Sequence, residues 1–233
     1  MFNGRMKAVT FSYDDGITQD RRLIKLFDKY GLKSTFNINS NLLGKSGSLF
    51  LSGVTVAHVK PRVEEVAAIY EGHEIAVHTL DHPRLTTLDE AEIIRQVEED
   101  RKNLEAICGY DVVGMAYPCG GVNNDERVAQ VIRTNTAIRY SRTITENFSF
   151  ELQDDLFRFN PTVYHQNWDK LFELADKFLA LPEMPDTPQI FYIWGHSYEF
   201  DTKDTWDRME EFCKKISGRD DVFYGTNREI LLA

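Results

Sequence analysis

Short apolar runs alternate with amphipathic ones along this chain, the pattern that predicts strands alternating with helices. Residues 7–12 read as a strand and 18–30 as a helix stopped by Gly31, with 34–38 as the next strand. Residues 61–71 predict a helix with Pro61 in its first turn and Gly72 just past its end, followed by a strand over 74–77. The pattern then repeats. A helix over 88–107 ends near Gly109, a strand over 112–117 leads into Pro118-Cys119-Gly120-Gly121, and a helix over 125–134 precedes a short strand over 137–140. A helix over 168–179, a strand over 189–194 rich in β-branched and aromatic residues, a helix over 205–216 and a strand over 222–224 complete the chain. Such alternation argues for the α/β class, with a parallel sheet or barrel and crossover helices.

On this reading the chemistry-bearing residues gather at one end of the sheet. Asp14 and Asp15 follow the first strand, His78 follows the strand over 74–77, and Cys119 and His196 follow two later strands. In a closed or nearly closed barrel the carboxyl ends of the strands form one rim, so these positions meet at a single cleft. An Asp pair offers one carboxylate to bind a cation and another to stay free as a base. His78 and His82, four apart in His78-Thr79-Leu80-Asp81-His82-Pro83, can aim both imidazoles at one point from a helical turn or a tight loop. Two nitrogens and one oxygen make three ligands with room for water. The segment from His73 to His78 superficially looks like a protease zinc helix, but its two histidines are five apart. At roughly 100° per residue they point to different faces, and alternating Ile75 and Val77 suggest a strand instead.

At 233 residues the chain is long enough for one sizeable core, with no linker, low-complexity run or repeat to divide it. It contains no stretch of about 18 apolar residues, so no membrane span is expected. The amino terminus lacks the apolar core of a secretory signal, which leads to the expectation of a cytoplasmic protein or one whose leader has been removed. Three widely spaced cysteines, Cys108, Cys119 and Cys213, fit reduced thiols better than a disulfide framework. A net charge of −10 opposes binding to nucleic acid or acidic membranes and favours a neutral or cationic substrate. Rings at Tyr164, His165, Trp168, Trp194, Tyr198 and Phe200 are candidates for a wall facing the apolar side of a sugar. Tyr164, Trp168, Trp194 and Tyr198 are the expected substrate contacts, and Glu199 and Asp201 could bind a hydroxyl or amine.

Four segments together resemble the polysaccharide deacetylases of the NodB-homology type, the fourth carbohydrate esterase family. Thr10-Phe11-Ser12-Tyr13-Asp14-Asp15-Gly16 resembles the first motif, His78 to Pro83 the second, Ala116-Tyr117-Pro118-Cys119-Gly120 a variant of the third, and Trp194-Gly195-His196 the last. The resemblance implies a single-domain, distorted (β/α) barrel of about seven parallel strands over residues 1–233. It implies removal of acetyl groups from an N-acetylated or O-acetylated carbohydrate. It assigns Asp15, His78 and His82 to one divalent metal, Zn²⁺ before Co²⁺ or Ni²⁺, and makes Asp14 the general base. The backbone N–H of Cys119 would donate to the oxyanion and His196 would be the general acid. The family's third motif opens with an arginine where this chain has Ala116. Arg142 is the expected substitute as partner of Asp14. The usual partner of the catalytic histidine is not evident. Two other functions compete: a carbohydrate-binding member without turnover, and a non-haem Fe(II) enzyme, which would leave Asp14 and His196 without a task.

Overall fold

The apolar run at the start of the chain forms β1 (Lys7–Asp14), buried along its whole length, and the sheet is built around it. The computed structural model describes residues 1–182 and 186–233. After β1 come α1 (Asp20–Lys29), β2 (Ser34–Ile38), an antiparallel hairpin of β3 (Ser48–Leu51) and β4 (Val54–Ala57), α2 (Val63–Ile69), β5 (Glu74–Val77) and α3 (Glu90–Cys108). Then follow β6 (Gly114–Ala116), α4 (Glu126–Asn135), β7 (Tyr140–Arg142), β8 (Val163–Tyr164) and α5 (Trp168–Ala180). The chain continues through β9 (Gln189–Gly195), α6 (Glu199–Thr202), α7 (Trp206–Ile216), β10 (Val222–Tyr224) and α8 (Asn227–Leu231).

Seven strands pair in parallel in the order β7-β6-β5-β2-β1-β9-β8, and β10 pairs with the first half of β1. The sheet curls nearly closed. The segment between β7 and β8 spans the remaining gap: Phe159 N–H donates to Ser141 O at 3.0 Å at one side, and Thr162 N–H to Tyr192 O at 2.8 Å at the other. Alternate residues of a strand point to opposite faces, and β1 shows what that does here. Val9, Phe11 and Tyr13 join the main core with Leu23 and Phe27 of α1 and Phe212 of α7. Ala8 points inward, into a second cluster with Tyr140, Ile190 and Tyr192 that Ile230 and Leu231 of α8 plug from below. Above this plug the interior turns polar: Thr10 bonds Asn227 at 2.9 Å, and Glu74 accepts from Thr35 at 2.7 Å and Tyr140 at 3.0 Å. Ser12 and Asp14 come next, at the open end.

Three local differences from the sequence expectations matter. β1 runs two residues further, so Asp14 ends the strand rather than following it. β7 lies at Tyr140–Arg142 instead of 137–140, because it carries an inward-pointing arginine that apolar patterning cannot recognise as strand. The hairpin of β3 and β4 was not anticipated. Its strands of four residues stand apart from the main sheet and bury only Val56 fully, too little for a clear periodic signal. No helix among the described residues is long and apolar enough to cross a membrane.

Gly114 shows how tightly the interior is filled. A Cβ there would lie 2.0 Å from the Tyr140 hydroxyl, which is fully buried and committed to Glu74. Gly114→Ala is expected to destabilise the protein by about 1–3 kcal/mol, measured as a lower urea midpoint at unchanged denaturant slope.

Candidate active site

Arg142 and Asp14, 0 % and 2 % exposed, form an ion pair at the open end of the barrel. Arg142 Nη2 donates to both carboxylate oxygens, Nε reaches Ser12 Oγ at 3.2 Å, and Nη1 reaches Thr143 O at 2.9 Å. The guanidinium lies over the Trp194 ring at 4.7 Å, and Asn37 donates to Asp14 Oδ1 at 2.8 Å. Burial pushes the Asp14 carboxyl up, but the charge of Arg142 and then those of His78 and His196 outweigh it and hold Asp14 below the usual carboxylate range. Ala116, where the third motif would carry arginine, is the register partner of Arg142 on the adjacent strand. The cation therefore enters the same interior from one strand further along.

Asp15, His78 and His82 form the one group of three potential metal ligands among the described residues, their donor atoms all within 4.8 Å of one another. Asp15 Oδ1 lies 3.9 Å from His78 Nε2 and 3.6 Å from His82 Nε2. Two donors each about 2.1 Å from a common Zn²⁺ are at most about 4.2 Å apart, so these separations fit. His78 Nδ1 is 2.9 Å from Ala116 O; since a carbonyl only accepts, Nδ1 carries the proton and Nε2 presents its lone pair. Burial drives His78 down to about 4 and lowers His82 as well. Burial raises Asp15, but the hydrogen bond from His58 and the charge of Lys60 hold it well below the usual range. All three side chains are therefore in their metal-binding protonation states at neutral pH.

The loops carrying these groups use a backbone conformation that L-residues rarely adopt. Asp15, Thr79, His82 and Cys119 all have positive φ, at 81°, 67°, 63° and 69°. Neighbours hold them there. Asn39 donates to the carbonyls of both His78 and Thr79, Lys60 Nζ donates to the carbonyl of Asp15, and Cys119 Sγ sits 3.6 Å from His82 O. Asp100 on α3 accepts from His78 N at 3.1 Å. The tight-loop alternative for the His pair is the one observed.

His196 follows β9, its Nε2 4.0 Å from Asp14 Oδ2 and its Nδ1 3.3 Å from Glu199 Oε2. Burial alone would lower this imidazole; the charge of Glu199, its contact with the ring and then Asp15 and Asp14 raise it to about 9. Glu199 is thus the partner that sequence reasoning left unidentified, rather than a sugar-binding group. Its Oε2 also lies 2.9 Å from His165 Nε2 and accepts from His196 N–H at 3.1 Å, and its Oε1 accepts from the Tyr164 hydroxyl. Tyr13 hydroxyl contacts His165 Nδ1 at 2.9 Å behind this carboxylate. Residue 195 must be glycine, because a Cβ would lie 2.4 Å from His165 Nδ1. The legible signal was the spacing: Glu199 stands one helical turn after His196.

A cavity of about 430 Å³ opens above these groups. Trp194, Tyr198, Tyr117 and Cys119 line it, as do Leu42 and Leu49 before and on the hairpin. Two expected sugar contacts do not belong to its wall: Tyr164 is spent on Glu199, and Trp168 packs parallel to His165 beside Phe200. Phe200 is fully buried, and Asp201 accepts from Trp206 and Gln19. His58 and Lys60 also line the cavity and were missed, since they follow the unanticipated hairpin.

A family profile described as polysaccharide deacetylase matches residues 3–136. The chain is 25% identical over 123 residues to the peptidoglycan-N-acetylmuramic acid deacetylase PdaC of Bacillus subtilis (strain 168), a match covering 52% of this chain and 23% of that protein. The chain thus spans about a quarter of the curated relative. The solved structure of a PdaC mutant superposes with a TM-score of 0.55 at 17% identity, over 95% of this chain and 88% of that one. A family 4 carbohydrate esterase from Streptomyces lividans in complex with acetate gives 0.56 at 12% identity, over 95% and 92%. A CE4 family pseudoenzyme from Bacillus anthracis gives 0.55 at 17% identity, over 97% and 66%. The shared fold is an α/β sheet of seven parallel strands curled into a half-barrel.

The His196–Glu199 contact makes a direct prediction. In Glu199→Gln the carboxylate charge is lost while burial and the smaller contributions of Asp15 and Asp14 remain, so the His196 pKa is expected to fall from about 9. An NMR pH titration of the ring in metal-free protein measures it; a value still near 9 would contradict the assignment.

Proposed function

Because the chain belongs to the polysaccharide deacetylase family of carbohydrate esterases, we propose that it is a metal-dependent hydrolase that removes acetyl groups from an N-acetylated or O-acetylated carbohydrate. What carries this reading is the convergence in one cavity of a three-donor cluster, an ionised carboxylate and a protonated imidazole. Asp15, His78 and His82 hold the divalent cation, with Zn²⁺ favoured by two imidazoles and one carboxylate and Co²⁺ or Ni²⁺ as substitutes. When bound, the cation supplies Lewis acidity, lowering the pKa of a coordinated water and polarising the acetyl carbonyl.

The chain's own residues supply the rest. Asp14, kept ionised by Arg142, takes the proton of the attacking water. The Cys119 backbone N–H donates to the oxygen that becomes negative in the tetrahedral intermediate. His196, kept protonated by Glu199, gives a proton to the departing nitrogen or oxygen. Trp194 and Tyr198 offer flat faces to the sugar. The main sheet, which pairs the first strand β1 directly with the last strand β10, supports treating residues 1–233 as one catalytic domain. Iron-dependent oxygen chemistry would leave the Arg142–Asp14 and His196–Glu199 pairs unused.

Restoring Zn²⁺, Co²⁺ or Ni²⁺ to metal-stripped protein is expected to restore acetate release from at least one of four substrates: chitin-like oligomers, peptidoglycan, acetylated xylan or a small N-acetyl sugar. Tight sugar binding with no acetate from any would instead indicate a binding protein. Asp14→Asn is expected to retain stoichiometric metal while losing turnover by about 10²–10⁴-fold, the worth of a positioned general base. Loss of metal in that variant would contradict the division of labour between the two aspartates.

Activity requires Asp14 ionised and His196 protonated, so the profile rises through the pKa of Asp14 and falls through that of His196. His196→Ala is expected to abolish the alkaline limb. Arg142→Ala removes the cation that lowers Asp14, so the acidic limb is expected to move to higher pH. Breaking a buried pair costs about 3–5 kcal/mol, and thermal unfolding of the same variant separates that effect from the shift in the limb.

A further inference from the structure

From the placement of His58 we infer that it is a positioning residue for the metal site, holding the Asp15 carboxylate in the orientation that turns one oxygen toward His78 and His82. The inference rests on the reading that Asp15, His78 and His82 hold a cation. The two Asp15 oxygens have different partners. Oδ1 faces the Nε2 atoms of His78 and His82 with Lys60 Nζ 3.8 Å away, whereas Oδ2 lies 3.1 Å from His58 Nε2. A carboxylate at this pH only accepts, so His58 Nε2 carries the proton and donates.

His58 is delivered by the hairpin. β3 and β4 pair in the register Ser48↔Ala57 to Leu51↔Val54 across a two-residue turn at Ser52 and Gly53, both with positive φ. Pairing continues past β4: His58 N–H donates to Gly47 O and Lys60 N–H to Lys45 O, each at 2.9 Å. Alternation along this extended segment puts residues 56, 58 and 60 on one side. Val56 there packs with Ile17 and Tyr198, His58 reaches Asp15 Oδ2, and Lys60 Nζ holds the Asp15 carbonyl. The His58 ring is braced edge-on by Tyr198 at 5.4 Å. The site and the hairpin are tied again by Thr18 N–H to Val59 O at 2.9 Å and by Gln19 to Ala57 O at 2.8 Å.

His58 is not part of the three-donor group, and its own nitrogen is occupied by Asp15. Its effect is on the ligand: without the donor, Oδ2 is released and the carboxylate can rotate away from the orientation the two imidazoles require. Outer partners of this kind are typically worth about 10–100-fold in metal affinity.

The test is Zn²⁺ affinity by competition with a chromophoric chelator, with the visible spectrum of the Co²⁺-loaded protein as a second readout. His58→Phe keeps a ring against Tyr198 and removes the donor; His58→Gln keeps a side-chain N–H donor. We expect Zn²⁺ dissociation constants about 10–100-fold higher for His58→Phe, with an altered Co²⁺ spectrum, and largely restored affinity in His58→Gln. Wild-type affinity in His58→Phe would overturn the inference while leaving the metal site standing. Equal losses in both variants would overturn it too, because an N–H donor at this position would then not be what holds Asp15. No stoichiometric Zn²⁺ in the unmodified protein would remove the site itself.

Discussion

A guanidinium and a carboxylate that are both almost wholly buried must be paired, and the pairing of Arg142 with Asp14 constrains how this sheet can be shaped. Their strands, β7 and β1, are four steps apart along the sheet. In a flat sheet four steps would separate them by about 19 Å, at about 4.8 Å per step, far beyond the reach of one side chain. Contact across the interior requires a curled sheet, and the segment from Phe159 to Tyr164 completes the curl by pairing with β7 at its start and β9 at its end. The apolar plug formed by α8 and the packed Gly114–Tyr140 contact hold the lower half of the same interior shut. The cavity accordingly opens at the other end, where Asp14 and Asp15 line it.

Much of the site was legible because strand ends can be read from periodicity, and the carboxyl ends of parallel strands meet at one rim. Asp14, Asp15, His78, His82, Cys119 and His196 all lie around one cavity as that logic requires. What escaped it has physical reasons. His58 and Lys60 depend on a hairpin whose small apolar face gives almost no periodic signal. Glu199 reads as a carboxylate free to bind a hydroxyl or amine until His165 and His196 are seen to converge on it from different parts of the chain. Tyr164 and Trp168 were read as ligand-facing because aromatic rings suit sugars, but the same rings serve equally well to bury a carboxylate's partners. Composition cannot distinguish those uses.

The relation between Ala116 and Arg142 has a consequence for how such proteins are sorted. A guanidinium supplied by β6 or by the neighbouring β7 reaches the same point in the barrel, since the two residues sit side by side in register. The requirement is met by a location in space, and two different places in the chain have access to it. A test written as a one-dimensional pattern scores this chain as lacking a component, whereas a test that asks which strand ends can deliver a cation to Asp14 finds the component present. An inventory by motif completeness therefore overlooks a guanidinium that stands one strand sideways, as Arg142 does here.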